Sequence, residues 1–224
     1  MKRIVPLLLA LSLPSMALAD LEATYKVGGN QSTMTVDYQD AHHLRMSTPG
    51  SAYMLVTGDK IYTVVNRNGQ LMAMDVQKMG EMMEKYRKQT HQAQPKAKPM
   101  SFSLKNTGRT EKVAGYSGKV HTMEVNGKTV TVVLTDDKDV ARLTEGFMGA
   151  MLKMGQSLSD DQTMDPKKIL GEIRKTGYGG LLKQGNDFVL MSLHKVDKPD
   201  SFYTLPKNAH VVDIPTTPPG AGTQ

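Results

Sequence analysis

The stretch LEATYKVGGNQSTMTVDYQD, residues 21–40, sets the pattern that the first half of the chain repeats. Leu21, Ala23, Tyr25 and Val27 alternate with Glu22, Thr24 and Lys26, the period of two that belongs to a strand with one buried face. Gly28-Gly29-Asn30 supplies a turn, and Met34, Val36 and Tyr38 resume the alternation. His43–Ser47 follows, then the turn Thr48-Pro49-Gly50. In AYMLVTGDKIYTVV, residues 52–65, the first five residues are apolar on both faces, which predicts a central strand. Thr57–Lys60 turns the chain into Ile61–Val65, and Asn66–Gly69 turns it again into Leu71–Val76. Short strands at this spacing predict an antiparallel meander.

The period changes at Gln77. Met79, Met82, Met83 and Tyr86 recur at helical spacing, so an amphipathic helix is expected to about Gln89. Residues 91–99 are polar and basic, with Pro95 and Pro99, and read as a link between two parts of one domain. Strands resume at Phe102, at Thr110–Val113 and at Gly118–Val125, and Asn126-Gly127 carries the signature of a tight hairpin into Lys128–Leu134. Asp136-Asp137 is placed to cap a helix over 138–158, and Pro166 to open a shorter one to Lys175. Strands return at Leu181-Leu182, Phe188–Val196 and His210–Ile214. The order predicts an α+β fold: a curved antiparallel sheet, an incomplete barrel, with two or three helices packed on or plugging one face.

The first nineteen residues read as an export signal. Lys2 and Arg3 precede an apolar run over 4–13, and Ala17-Leu18-Ala19 presents small residues for cleavage after Ala19. A run of about ten residues is half what a membrane span needs. No Cys follows it, so no lipid-modification site is present. A free, soluble periplasmic domain over 20–214 is expected, with 215–224 as a disordered tail. The chain has no Cys at all, which excludes disulfides, iron–sulfur clusters and thiol catalysis.

Charge is uneven. Ten Lys or Arg residues lie between Lys85 and Lys128 against only Glu111 and Glu124. Such a stretch either forms a solvated surface or steers anionic partners, among which Lys96, Lys98 and Arg109 are candidate contacts for a lipid headgroup, a membrane surface or an envelope protein. Nucleic acid is not an expected partner, since no basic motif interleaved with aromatics is present.

Catalytic motifs are absent: no HExxH, GxSxG, phosphate-binding loop or dinucleotide fingerprint. Asp136, Asp137 and Asp139 lack the spacing of a calcium loop, and the six His residues are scattered. No enzyme and no cofactor is expected. Methionine is the anomaly: 17 residues, with only Met1 and Met16 in the export signal, beside four Phe and no Trp. Three readings stay open. The thioethers fill a core, line a cavity that adapts to apolar ligands, or bind copper(I).

The run from Thr107-Gly108-Arg109 through Val113-Ala114-Gly115-Tyr116-Ser117-Gly118 to His121 resembles a motif of an exported bacterial family known as domain of unknown function 4412. The strand ending at Thr135-Asp136-Asp137 before a helix, and the segment Phe202–Asp213, resemble that family too. The chain departs from it where Gly118 stands at an often-Cys position and where Asn208-Ala209 replaces Gly-Tyr. The family is similar in fold to the Lol-type lipoprotein carriers, in which an incomplete antiparallel barrel curls around helices that lid a hydrophobic cavity. That likeness implies a non-enzymatic carrier of a hydrophobic small molecule, lipid or lipidated partner. The walls would then be Met54, Val56, Val64, Val132, Leu134 and Leu190. Met79, Met82, Met83, Met148, Met151 and Met154 would sit on a movable helical lid.

Overall fold

The computed structural model describes residues 19–28, 32–50, 52–90, 101–158 and 166–212. Residues 1–18, where an export signal is expected, the basic link with Lys96 and Lys98, and the tail from 213 lie outside the described residues.

The alternation seen in the sequence becomes six consecutive strands: β1 (Asp20–Val27), β2 (Ser32–Asp40), β3 (His43–Ser47), β4 (Ala52–Thr57), β5 (Lys60–Arg67) and β6 (Gln70–Asp75). Helix α1 (Val76–Gln89) follows directly, because the Asp75 carboxylate accepts from the amides of Gln77 and Lys78 at the first turn. Then come β7 (Phe102–Val113), β8 (Tyr116–Val125) and β9 (Lys128–Thr135), helices α2 (Lys138–Leu158) and α3 (Pro166–Lys175), and strands β10 (Gly180–Gln184), β11 (Phe188–Val196) and β12 (His210–Val211). Asp137 caps α2 through the amides of Asp139 and Val140. Asn126 and Gly127 both take positive φ, 52° and 77°, as a two-residue hairpin turn with the right twist requires.

All twelve strands belong to one sheet, ordered β12-β6-β5-β4-β3-β2-β1-β11-β10-β9-β8-β7. Every ladder is antiparallel except that of β12 with β6. The last strands thus pair with the first, and β11 closes the gap between the two halves of the sequence. The sheet is curved and unclosed. Its curl is strongest at the β7 end: β7 stands four places from β11 in the order yet touches it, and Lys183 Nζ on β10 reaches Glu111 Oε1 on β7 at 2.7 Å. Gly118 makes the tight roll possible, since a Cβ there would meet Val133 Cγ1 at 2.6 Å and Leu182 Cδ1 at 2.9 Å.

Pairing registers define the two faces of β1–β6. One carries Leu21, Ala23, Tyr25, Val36, Tyr38, Leu44, Met46, Met54, Val56 and Ile61, all buried in a single cluster with Val140, Leu143 and Ala150 of α2 and Val76 of α1. Helix α2 packs on β2, β3 and β10, and α1 on β5, β6 and α2. The other face carries a smaller cluster, Tyr62, Val64 and Ala73, covered by Leu205 and Ala209 of the C-terminal segment. No helix among the described residues is long and apolar enough to cross a membrane.

Candidate functional site

The helix layer sits on the sheet through contacts that demand missing side chains. Gly146 of α2 lies against the Tyr38 ring, and Gly80 of α1 lies against the Ser157 carbonyl of α2, so closely that a Cβ at either place would overlap its neighbour. Around these seats the apolar residues stay partly open to solvent. Phe147 of α2 stacks on Phe188 with centroids 5.6 Å apart, and Phe188 stacks on Tyr25 at 4.4 Å. Val27 is the cross-strand neighbour of Phe188, and Met34 that of Tyr25. Phe147, Phe188, Val27, Met34, Met151 and Met154 all pack against the buried cluster while remaining only partly buried themselves. They form an apolar rim where helix and sheet meet.

The methionines do not separate by element. On the sheet Met46 and Met54 are buried, Met34, Met72, Met74 and Met123 are half-buried and Met191 is exposed. Met79, Met82, Met148, Met151 and Met154, on the helices, are half-buried, and Met83 is exposed. Core filling accounts for Met46 and Met54 and leaves the helical six, like the remaining sheet methionines, only partly packed.

Of the expected wall residues, Met54, Val56 and Leu190 belong to the large cluster. Registers carried across β11 and β10 put Val132 and Leu134 on this same face, outside that cluster and on the side of His121, whose ring lies 6.3 Å from Tyr178 beyond α3. Val64 does not belong with them. It pairs with Tyr53 and Ala73 on the opposite face, beneath the C-terminal segment. Both faces of β4 and β5 are apolar because both are covered, and alternation alone does not say which cover is helical. Arg109 is exposed at the irregular part of β7, beside Gly108 at φ 77°.

The face opposite the helices holds a polar cluster that the sequence did not announce. Glu22, Asp37 and Arg45 are direct cross-strand neighbours on β1, β2 and β3. Lys198 descends onto them from the C-terminal segment, its Nζ 2.7 Å from Glu22 Oε2 and 3.6 Å from Asp37 Oδ1. Tyr203, fully buried, donates its hydroxyl to Asp20 Oδ2 at 3.2 Å, and the Lys198 amide donates to the same oxygen at 3.3 Å. The Arg45 guanidinium lies over the rings of Tyr53, 3.8 Å from its centroid, and Phe202, at 4.7 Å. The hydrogen bond from Lys198 holds the Glu22 carboxyl below its usual range, and raises Lys198 in turn. Burial pushes Asp37 the other way, up to about 6, against the pull of Lys198. These residues are far apart in sequence, at 20–53 and 198–203. Only the pairing of β1 with both β2 and β11 brings them together.

The arrangement defines a class: a mostly antiparallel, unclosed sheet with an α1–α2 layer on one face and a C-terminal strap on the other. No protein-family model and no curated protein matches the chain. Among solved structures, PNGF-II in its C2 and P21 space groups is similar, with TM-scores of 0.40 and 0.39 and 15% and 14% identity. Those matches cover 88% of this chain but only 31% and 32% of the PNGF-II chains, so this chain spans about a third of their length.

Proposed function

We propose that the chain is a soluble periplasmic binding protein for a hydrophobic ligand, a lipid, an acyl chain or a lipidated partner, held between the helix layer and the sheet. One observation carries this reading: the six helical methionines and the Phe147–Phe188 pair stay partly or largely exposed beside a fully packed sheet core. Unbranched thioether side chains repack at low cost around ligands of different shape. Apolar burial of about 25 cal/mol per Å² supplies affinity without a reacting group. The Lol-type carriers have the same division of labour, a curved sheet as wall and helices as lid.

The test is ligand uptake. Purified full chain, extracted and analysed by mass spectrometry, is expected to release lipid, and the delipidated chain to take up cis-parinaric acid. Phe147→Ala with Met151→Ala should weaken that uptake about tenfold, the scale of losing roughly 1.4 kcal/mol of contact. A lipid-free preparation that leaves the fluorescent acid unbound would overturn the reading.

A further inference from the structure

Beneath the C-terminal strap, charge does not balance. His194, Glu22, Asp37 and Arg45 form one cross-strand row over β11, β1, β2 and β3. Asp20, two residues before Glu22, lies on the same face, and Lys198 comes down on the row from the strap. Three carboxyl groups thus face two permanent cations, Arg45 and Lys198. Lys198 Nζ sits 2.7 Å from Glu22 Oε2 but 3.6 Å from Asp37 Oδ1. Asp20 accepts from the Tyr203 hydroxyl and the Lys198 amide. Asp37 is left over. It is 3% exposed, and among the described residues no donor comes within hydrogen-bond reach of its Oδ1.

A buried carboxylate without a donor is costly, and one proton removes that cost. Protonated Asp37 donates to the Glu22 carboxylate beside it, and two carboxylates then face two cations. Burial, reinforced by the Glu22 charge, lifts the Asp37 carboxyl to about 6 against the pull of Lys198. The other titratable neighbours are imidazoles at the margins. His194 is exposed beside Glu22, and His43, held to Asp40 at 3.0 Å, meets the Tyr203 ring with centroids 6.1 Å apart.

We propose that this cluster is a proton-operated latch: one proton held between Asp37 and Glu22 tightens the strap on the sheet, and its loss loosens the strap. What the strap covers gives loosening a consequence. Leu205 and Ala209 lie on Tyr62, Val64 and Ala73, and β12 occupies the outer edge of β6. Release bares an apolar patch and a strand edge together. A carboxyl raised in the closed state supports closure fully at low pH, and that support is lost as pH rises through 6. For a group near 3.8 when released and about 6 when closed, closure should be about tenfold more favourable at pH 5 than at pH 8. The latch lies on the face opposite the helix layer, so it stands or falls independently of ligand uptake there.

Hydrogen exchange of the Val212 amide, which donates to the Ala73 carbonyl at 2.9 Å, is the direct test in the full chain. Corrected for the intrinsic pH dependence of exchange, its protection should fall about tenfold from pH 5 to pH 8. Asp37→Asn carries a permanent donor and should make the profile flat, whereas His43→Gln/His194→Gln should keep the tenfold fall. The carbon NMR shift of the Asp37 carboxyl should titrate with a midpoint near 6. A flat profile in the unmodified chain, a fall that survives in Asp37→Asn, or one abolished by the histidine double variant would each overturn the proposal. So would a carboxyl midpoint near 3.8, a result that needs no variant to fold.

Discussion

Gly80 and Gly149 are both helical glycines, and they should respond in opposite directions to the same substitution. A methyl group at Gly80 would run into the Ser157 carbonyl, whereas one at Gly149 would meet nothing within 4 Å. Gly149→Ala is therefore expected to stabilise the protein by about 1 kcal/mol through helix propensity. Gly80→Ala should destabilise it by roughly 1–3 kcal/mol, because backbone rather than a flexible side chain must yield. Urea denaturation of both variants checks the pair. Asp37 gives a second contrast at this scale. Its carboxyl, ordinarily near 3.8, is raised to about 6 in the folded chain. A raised carboxyl contributes stability that is complete below its unfolded value and is lost as pH rises through the folded one. A shift of about two units corresponds to roughly 3 kcal/mol. Asp37→Asn should thus gain stability relative to the parent between pH 4 and pH 8 by about that amount. Melting curves at the two pH values that shift in parallel would show that Asp37 is not buried as a strained acid.

At the scale of elements, the C-terminal strap is held by two unlike grips. Tyr203 and Leu205 supply the apolar one, and Lys198 with the Tyr203 hydroxyl supplies the polar one. Tyr203→Phe keeps the ring and removes the donor to Asp20, a loss of about 1–2 kcal/mol read by chemical denaturation. Hydrogen exchange should quicken at Val212, whose amide donates to the Ala73 carbonyl on β6 at 2.9 Å. Elements were also where the sequence was most readable. Helix α2 starts where Asp137 caps it, and the Asn126-Gly127 hairpin falls where its dipeptide places it, because local chemistry alone decides both. The strand β7 was less readable: two short segments, from Phe102 and over Thr110–Val113, are one strand with an irregularity between Asn106 and Thr110. Val64 was misplaced because an apolar residue on a doubly covered strand carries no mark of which cover it meets. The Asp20–Glu22–Asp37–Lys198 cluster was invisible because its members are brought together by tertiary pairing and by no spacing along the chain.

At the scale of the molecule, the two faces of the sheet are covered by different means, and this predicts how the parts separate. Helix α1 buries only Val76 and Gly80 and otherwise turns half-buried Met79 and Met82 inward, while the strap is anchored by ion pairs and a fully buried ring. Helix loosening should therefore precede strap release. Hydrogen exchange of the ligand-free chain is expected to show lower protection in α1 than in β12 and its partner β6. The reverse order would mean that the helix layer is rigid, and would remove the mobile lid on which adaptable binding depends.

A sheet that does not close on itself has two free margins, and each is a template on which another chain can add a strand. At one margin β12 lies along β6 and occupies its outer hydrogen-bonding groups for two residues. The other margin is β7, twelve residues long, with Lys105, Arg109 and Lys112 exposed along it and its ladder interrupted between Asn106 and Thr110. Positive charge and a broken ladder both discourage edge-to-edge stacking. On this ground the exposed basic residues of β7 are expected to oppose edge-to-edge pairing of the chains in concentrated solution, separately from any ligand. Replacing Lys105, Arg109 and Lys112 with Thr should leave the melting temperature nearly unchanged and raise the rate of thioflavin-positive aggregation.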